Sequence, residues 1–111
     1  MSRILMNDGT VLVEPVICAE TMAERMRGLL GRNSLPAGTG MLIRPCRSIH
    51  MWFMRFPIDA AFLDHELRVL KIARTLRPWQ LAVAPAGTRC VLETAAGALT
   101  RLSLGEQLSE D

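Results

Sequence analysis

Ile49-His50-Met51-Trp52-Phe53-Met54-Arg55-Phe56-Pro57-Ile58-Asp59, continuing through Ala60-Ala61-Phe62-Leu63-Asp64, is the stretch on which the reading of this chain turns. Pro57 fixes its own backbone and pushes Phe56 into an extended conformation. A rigid corner therefore separates a strand over Ile49 to Met54 from a second over Ile58 to Asp64. In the first strand His50, Trp52 and Met54 share one face, because side chains alternate across a strand. Asp59 opens the second strand among Ile58, Ala60 and Ala61. A carboxylate in such company must be paired or hydrogen-bonded, since an isolated buried charge is costly. Arg55 and Arg27 are the candidate partners.

Working outward, Asp64-His65-Glu66 reads as a hairpin turn leading into a strand over Leu67 to Leu76. Upstream, Val11 to Cys18 is β-branched and follows the turn-prone Asn7-Asp8-Gly9, so it reads as a strand; Pro15 marks an edge position or a bulge. Thr21 and Glu24 form a capping box. Met22, Met26, Leu29 and Leu30 then make one apolar helical stripe, which Gly31 is placed to end. Leu35 to Gly40 is loop and Gly40 to Ile43 strand. Downstream, Arg77 to Gly87 is a proline-containing loop carrying Trp79, Cys90 to Thr94 a strand, and Ala95 to Leu104 a short helix. Gly105 turns the chain toward a last strand around Leu108. The expected architecture is one α+β domain over 1–111. It has a mostly antiparallel sheet in a small half-open barrel, one main helix and a short C-terminal helix. Several strands are apolar on both faces, which implies a curled sheet covered on each side.

The chain has 111 residues, long enough for a core without metals or crosslinks. Thirteen basic and eleven acidic groups leave a formal charge of +2, too little to argue for nucleic acid. No apolar run approaches the roughly 20 residues of a membrane span, and Met1 to Gly9 lacks the pattern of a secretion signal. Cys18, Cys46 and Cys90 are odd in number and widely spaced. That favours a reducing, cytoplasmic setting over a disulfide framework. Edge strands and Trp79 leave monomer and homodimer both open.

Two readings of the chemistry stand side by side. In the functional one His50, Arg55, Asp59 and Glu93 converge on a pocket floored by Trp52 and Met54, with Arg27 or Arg55 steadying a small polar or anionic ligand. In the structural one Asp59 locks the corner through backbone amides and Arg55, His50 is a partly exposed sheet residue, and Glu93 is a solvent-side residue of its strand. Cys46 and His50, joined by Cys90 or His65, lack the paired short spacings of a closed zinc site, so no metal is expected. Nothing marks an activated thiol, a glycine-rich phosphate loop or a nucleophile elbow. No cofactor is expected, and no catalytic residue can be named.

Two segments carry a family resemblance. Arg27-Gly28-Leu29-Leu30-Gly31-Arg32 with Gly40-Met41-Leu42-Ile43, and Ile49 to Asp59 continuing to Phe62-Leu63-Asp64, are similar to domain of unknown function 192. Val91-Leu92-Glu93, Ala96-Gly97 and Gly105-Glu106-x-Leu108 complete a pattern running from about Val11 to Leu108. Leu30, Ala95 and Glu106 stand where that family often has Met, Pro and Asp. The resemblance implies a compact β-rich domain and no assigned reaction. The function read from the residues is a noncatalytic module binding a small polar ligand or a protein partner. The alternative is a small hydrolase-like enzyme using Asp59, His50 and Glu93 as acid–base groups.

Overall fold

The computed structural model describes residues 2–20, 35–44 and 55–111, together with the backbone of 48–50. The described strands are β1 (Ser2–Leu5), β2 (Val11–Ala19), β3 (Gly40–Ile43), β4 (Ser48–His50), β5 (Ile58–Leu63), β6 (Val69–Leu76), β7 (Leu81–Val83), β8 (Cys90–Ala95) and β9 (Ser109–Glu110). Seven of them form one sheet in the order β6-β5-β8-β3-β2-β1-β9, while β4 and β7 pair as a separate two-stranded ribbon. The β2–β3 pair is parallel. Such a pair needs a long crossover, which residues 20–39 supply. The other pairings are antiparallel.

The α+β class expected from sequence is corrected: among the described residues there is no helix, and what they form is essentially all-β, a curled mixed sheet in a half-barrel. The main helix predicted over Thr21 to Gly31 lies outside the described residues. The short helix predicted over Ala95 to Leu104 is instead a succession of tight turns, closed by Ala98 N–H to Ala95 O (3.0 Å), Thr100 N–H to Gly97 O (3.3 Å) and Leu102 N–H to Leu99 O (3.1 Å). Leu99 and Leu102 are both buried, and their three-residue spacing is what mimics a helical stripe. The Leu99 amide and the Leu99 and Leu102 carbonyls bond to side chains of the sheet, while the local bonds stop at single turns and do not run on as a helix. No helix among the described residues is long and apolar enough to cross a membrane.

Alternation along the strands sorts the buried side chains into two cores. Ile58, Ala60 and Phe62 of β5 join Met41, Ile43, Val91, Leu76, Phe56 and Ala82 in the outer core. Ala61 and Leu63 join Ile4, Val13, Val16, Leu42, Val69, Cys90 and Leu92 in the other. This second core draws on β1, β2, β3, β5, β6 and β8, so it is the inside of the curl. Two covered faces explain the run of six buried residues in β5. Gly40 opens β3 where a Cβ would lie 3.0 Å from Val13 Cγ2 and 3.2 Å from Leu92 Cδ1, so a larger residue would require these side chains to shift by a few tenths of an ångström.

Pro15 marks a bulge, one of the two placements read from sequence. Ser2 pairs with Val16 and Ile4 with Val13, so β2 runs one residue more than β1 between those points. Pro15 donates no amide, and the extra residue removes the need for one. Two strands had no clear signal: β1, and β7 inside the predicted Arg77 to Gly87 loop. β7 is held by Ala82 in the outer core and by Lys71, whose Nζ donates to Val83 O at 2.9 Å and lies 5.5 Å from the centre of the Phe62 ring.

The two edges of the large sheet are β6 and β9, and residues 105–111 join them. Gly105 N–H donates to Val69 O (2.8 Å), Val69 N–H to Glu106 O (2.9 Å) and Leu108 N–H to Leu67 O (3.1 Å). Three residues later, Asp111 and Arg3 exchange backbone bonds at 2.9 and 3.2 Å beyond the β1–β9 pairing. One continuous segment thus bonds to the start of β6 and to β1, and Leu108, 2% exposed, seals the inner core behind it. Leu108→Ala should therefore destabilise the chain by about 2–4 kcal/mol in urea unfolding, the usual cost of a buried leucine truncation. A change near zero would show that the segment does not close the barrel.

Candidate functional site

Asp59 is 1% exposed and faces the inner core. Its carboxylate accepts three backbone amides: Thr75 N–H on Oδ1 at 2.8 Å, and Gly97 and Leu99 N–H on Oδ2 at 3.0 and 3.2 Å. The backbone is shaped to deliver them. Opposite Asp59, β6 bulges, with Ile58 paired to Leu76 and Ala60 to Ala73, and Thr75 takes a left-handed φ of 53° that turns its amide inward. That conformation costs a non-glycine residue about 1–2 kcal/mol, which the charge-assisted bond offsets. Gly97, at φ +91°, makes the matching bend without penalty. Beside the bulge, Arg74 donates through Nη2 to Leu99 O (3.4 Å) and Leu102 O (2.9 Å). Asp59 thus holds two amides and Arg74 two carbonyls of the same stretch, alongside the bonds that close its turns. Together they clamp the 97–102 turns over one end of the barrel.

Glu93 is fully buried rather than solvent-facing, and it is partnered there. The β5–β8 register pairs Asp59 with Thr94 and Ala60 with Glu93. Since Asp59 and Ala60 are neighbours on one strand, Asp59 and Glu93 project from opposite faces of the sheet. The two carboxylates offered as an acid–base set do not meet. Arg55 is exposed, and the described donors to Asp59 are backbone amides. His50 lies on β4, paired with Leu81 of β7, in the ribbon that packs Ala82 onto the outer core. Arg27, Trp52 and Met54 lie outside the described residues, as does Cys46.

At the opposite end of the barrel the strands leave a pocket of about 320 Å³ lined by Arg44, Asp64, His65, Leu67, Arg89 and Cys90. Asp59 to Asp64 is five residues along β5, or about 16 Å at ~3.3 Å per residue, so this mouth is remote from the clamp. Arg44 follows β3 and Arg89 precedes β8, and the β3–β8–β5 order sets them beside the β5–β6 hairpin. In that hairpin Asp64 Oδ1 accepts Glu66 N–H (2.8 Å) and Arg68 N–H (2.9 Å), and Leu67 adopts φ 67°. Desolvation pushes the Asp64 carboxyl upward, but these amides and the nearby His65 and Arg68 outweigh it and hold the group below the usual carboxylate range. Arg44 Nη2 reaches Glu110 Oε1 at 2.8 Å, with the two side chains 47% and 32% exposed. The guanidinium is stabilised chiefly by that hydrogen bond.

Sequence reading passed over Arg44 and Arg89. Each is a lone arginine at the end of an apolar run, and only the non-sequential strand order brings them together. On this geometry the Asp59 carboxylate is engaged by three backbone amides. Asp59→Asn should lower stability by about 1–3 kcal/mol, because its NH₂ group would oppose a backbone N–H and leave a buried donor unsatisfied. An unchanged melting temperature would show that the three amides do not depend on the charge.

Comparisons with known proteins agree with this β architecture. The family model of domain of unknown function 192, described as an uncharacterized ACR, matches residues 4–109. A UPF0127 protein of Thermococcus sibiricus is 31% identical over 106 residues, covering 90% of this chain and 68% of that protein. Another, from Pyrococcus horikoshii, is 40% identical over 78 residues, covering 68% and 67%. A crystal structure of a protein of unknown function from Novosphingobium aromaticivorans superposes with TM-score 0.81 at 26% identity, covering 97% of this chain and 82% of that one. A Sinorhizobium meliloti protein described as a candidate transcription regulator superposes with TM-score 0.73 at 25% identity, covering 98% and 91%. With the match spanning nearly every residue, this chain belongs to the DUF192 (UPF0127) family.

Proposed function

We propose that this chain is a noncatalytic module that binds a small polar ligand at the open mouth of its half-barrel. The observation that carries this reading is the pocket of about 320 Å³ in which Arg44, Arg89 and His65 stand over Leu67 and Cys90. Small-ligand sites are concave and of about 300–1,000 Å³, with an apolar lining and a few convergent polar groups, and barrel mouths are one of their usual places. The hydrolase alternative draws less support. Its two carboxylates, Asp59 and Glu93, point to opposite faces of the sheet, and Asp59 is already engaged by three amides. Three cysteines, odd in number, support a reducing, cytoplasmic setting.

A thermal-shift screen of the whole chain against small polar metabolites tests the proposal. A ligand at 100 times its Kd should stabilise the fold by about 2.7 kcal/mol. That stabilisation should vanish in Arg89→Ala and persist in Trp79→Ala, whose parent residue is 62% exposed and outside the pocket lining. The hit should be recovered chemically unchanged after incubation. Consumption of the hit, or its undiminished binding to Arg89→Ala, would overturn the reading.

A further inference from the structure

Charge balance at the mouth narrows the ligand. Two guanidinium groups, Arg44 and Arg89, line it against a single carboxylate, Asp64. Asp64 Oδ1 is turned into the hairpin, where the amides of Glu66 and Arg68 take it at 2.8 and 2.9 Å. The second negative charge comes from the far edge of the sheet: Glu110 of β9, three strand positions from β3, bonds Arg44 at 2.8 Å. The curl of the sheet brings Glu110, itself outside the pocket lining, onto Arg44, which is part of it. With Glu110 in place the two arginines are matched by two carboxylates; without it they hold an excess of positive charge.

Glu110 is also easy to dislodge. It sits on a two-residue strand whose residues are both exposed. Its ion pair is partly solvated, and such pairs contribute little. Arginine's planar fork accepts a carboxylate or a phosphate in the same bidentate manner. Resting on the mouth-pocket reading above, we infer that the ligand is a small oxyanion, a carboxylate or phosphate compound, that takes the place of the Glu110 carboxylate on Arg44. Glu110 is then a built-in competitor, and occupation of the mouth is coupled to release of the 109–111 segment from the Arg44 side of the barrel.

Isothermal titration of the whole chain with inorganic phosphate, and separately with succinate, tests this in low-salt buffer. The proteins compared are wild type, Glu110→Gln and Asp111→Asn. Asp111 is a neighbouring exposed carboxylate that pairs with Arg3 at 2.7 Å and not with Arg44, so it controls for overall charge. Glu110→Gln should tighten the Kd of at least one probe roughly threefold or more, the scale of one exposed ion pair. Asp111→Asn should leave it unchanged, and Arg44→Met should abolish binding. The probe that responds separates a phosphate site from a carboxylate site. Equal Kd values in wild type and Glu110→Gln would overturn the competition while leaving the mouth as a binding site. Equal tightening in Glu110→Gln and Asp111→Asn would do the same, leaving only a general charge effect. Binding of neither probe by any of the proteins would overturn the oxyanion assignment, and the polar-ligand reading would then rest on the metabolite screen alone.

Discussion

A buried carboxylate at position 59 must be met by donors, and much of the architecture supplies them. Asp59 sits inside the curl at 1% exposure, where an unpaired charge would be prohibitive. The three amides that answer it come from two elements, the β6 bulge at Thr75 and the turns at Gly97 and Leu99. The bulge, the left-handed threonine and the glycine bend follow as geometric requirements of one anion. Arg74, in the same bulge, holds the carbonyls of the segment whose amides Asp59 holds. An anion and a cation on the sheet thus grip both polarities of one stretch of backbone, and Leu99 and Leu102 are pressed into the inner core as a result.

That clamp makes the two ends of the barrel unlike. One end is plugged by backbone tied to Asp59 and Arg74, with its charges spent on structure. The other end is lined by Arg44, Arg89 and His65, with groups that are at least partly in contact with solvent. The 105–111 segment links the two edges, joining β6 through backbone bonds and then crossing to β1. It brings the sheet's two edges together and carries Glu110 to Arg44, one of the residues lining the mouth.

The local signals were legible where a single element decides the outcome. The β-branched run after Asn7-Asp8-Gly9, Pro15 as an edge or bulge position, the hairpin at Asp64 to Glu66 and the buried strand after Pro57 all rest on alternation, fixed φ or turn chemistry. The need of Asp59 for partners followed from its apolar neighbours alone, and the amides rather than an arginine met it among the described residues. The helix predicted over Ala95 to Leu104 failed because Leu99 and Leu102 have helical spacing while Asp59 and Arg74 hold the segment as separate turns. Glu93 was read as solvent-facing because alternation identifies two faces without saying whether both are covered.

The sequence by itself therefore determined most of the extended segments, the hairpin turn after β5, that residue 59 needs donors, and the family to which the chain belongs. Strand order, the parallel β2–β3 pair, the separation of Asp59 from Glu93 and the meeting of Arg44 with Arg89 and Glu110 were decided only by the tertiary structure. Alternation and turn preference are properties of neighbours along the chain. Which strand lies beside which, and what charge faces what across a curled sheet, depends on contacts between residues tens of positions apart, which no local pattern encodes.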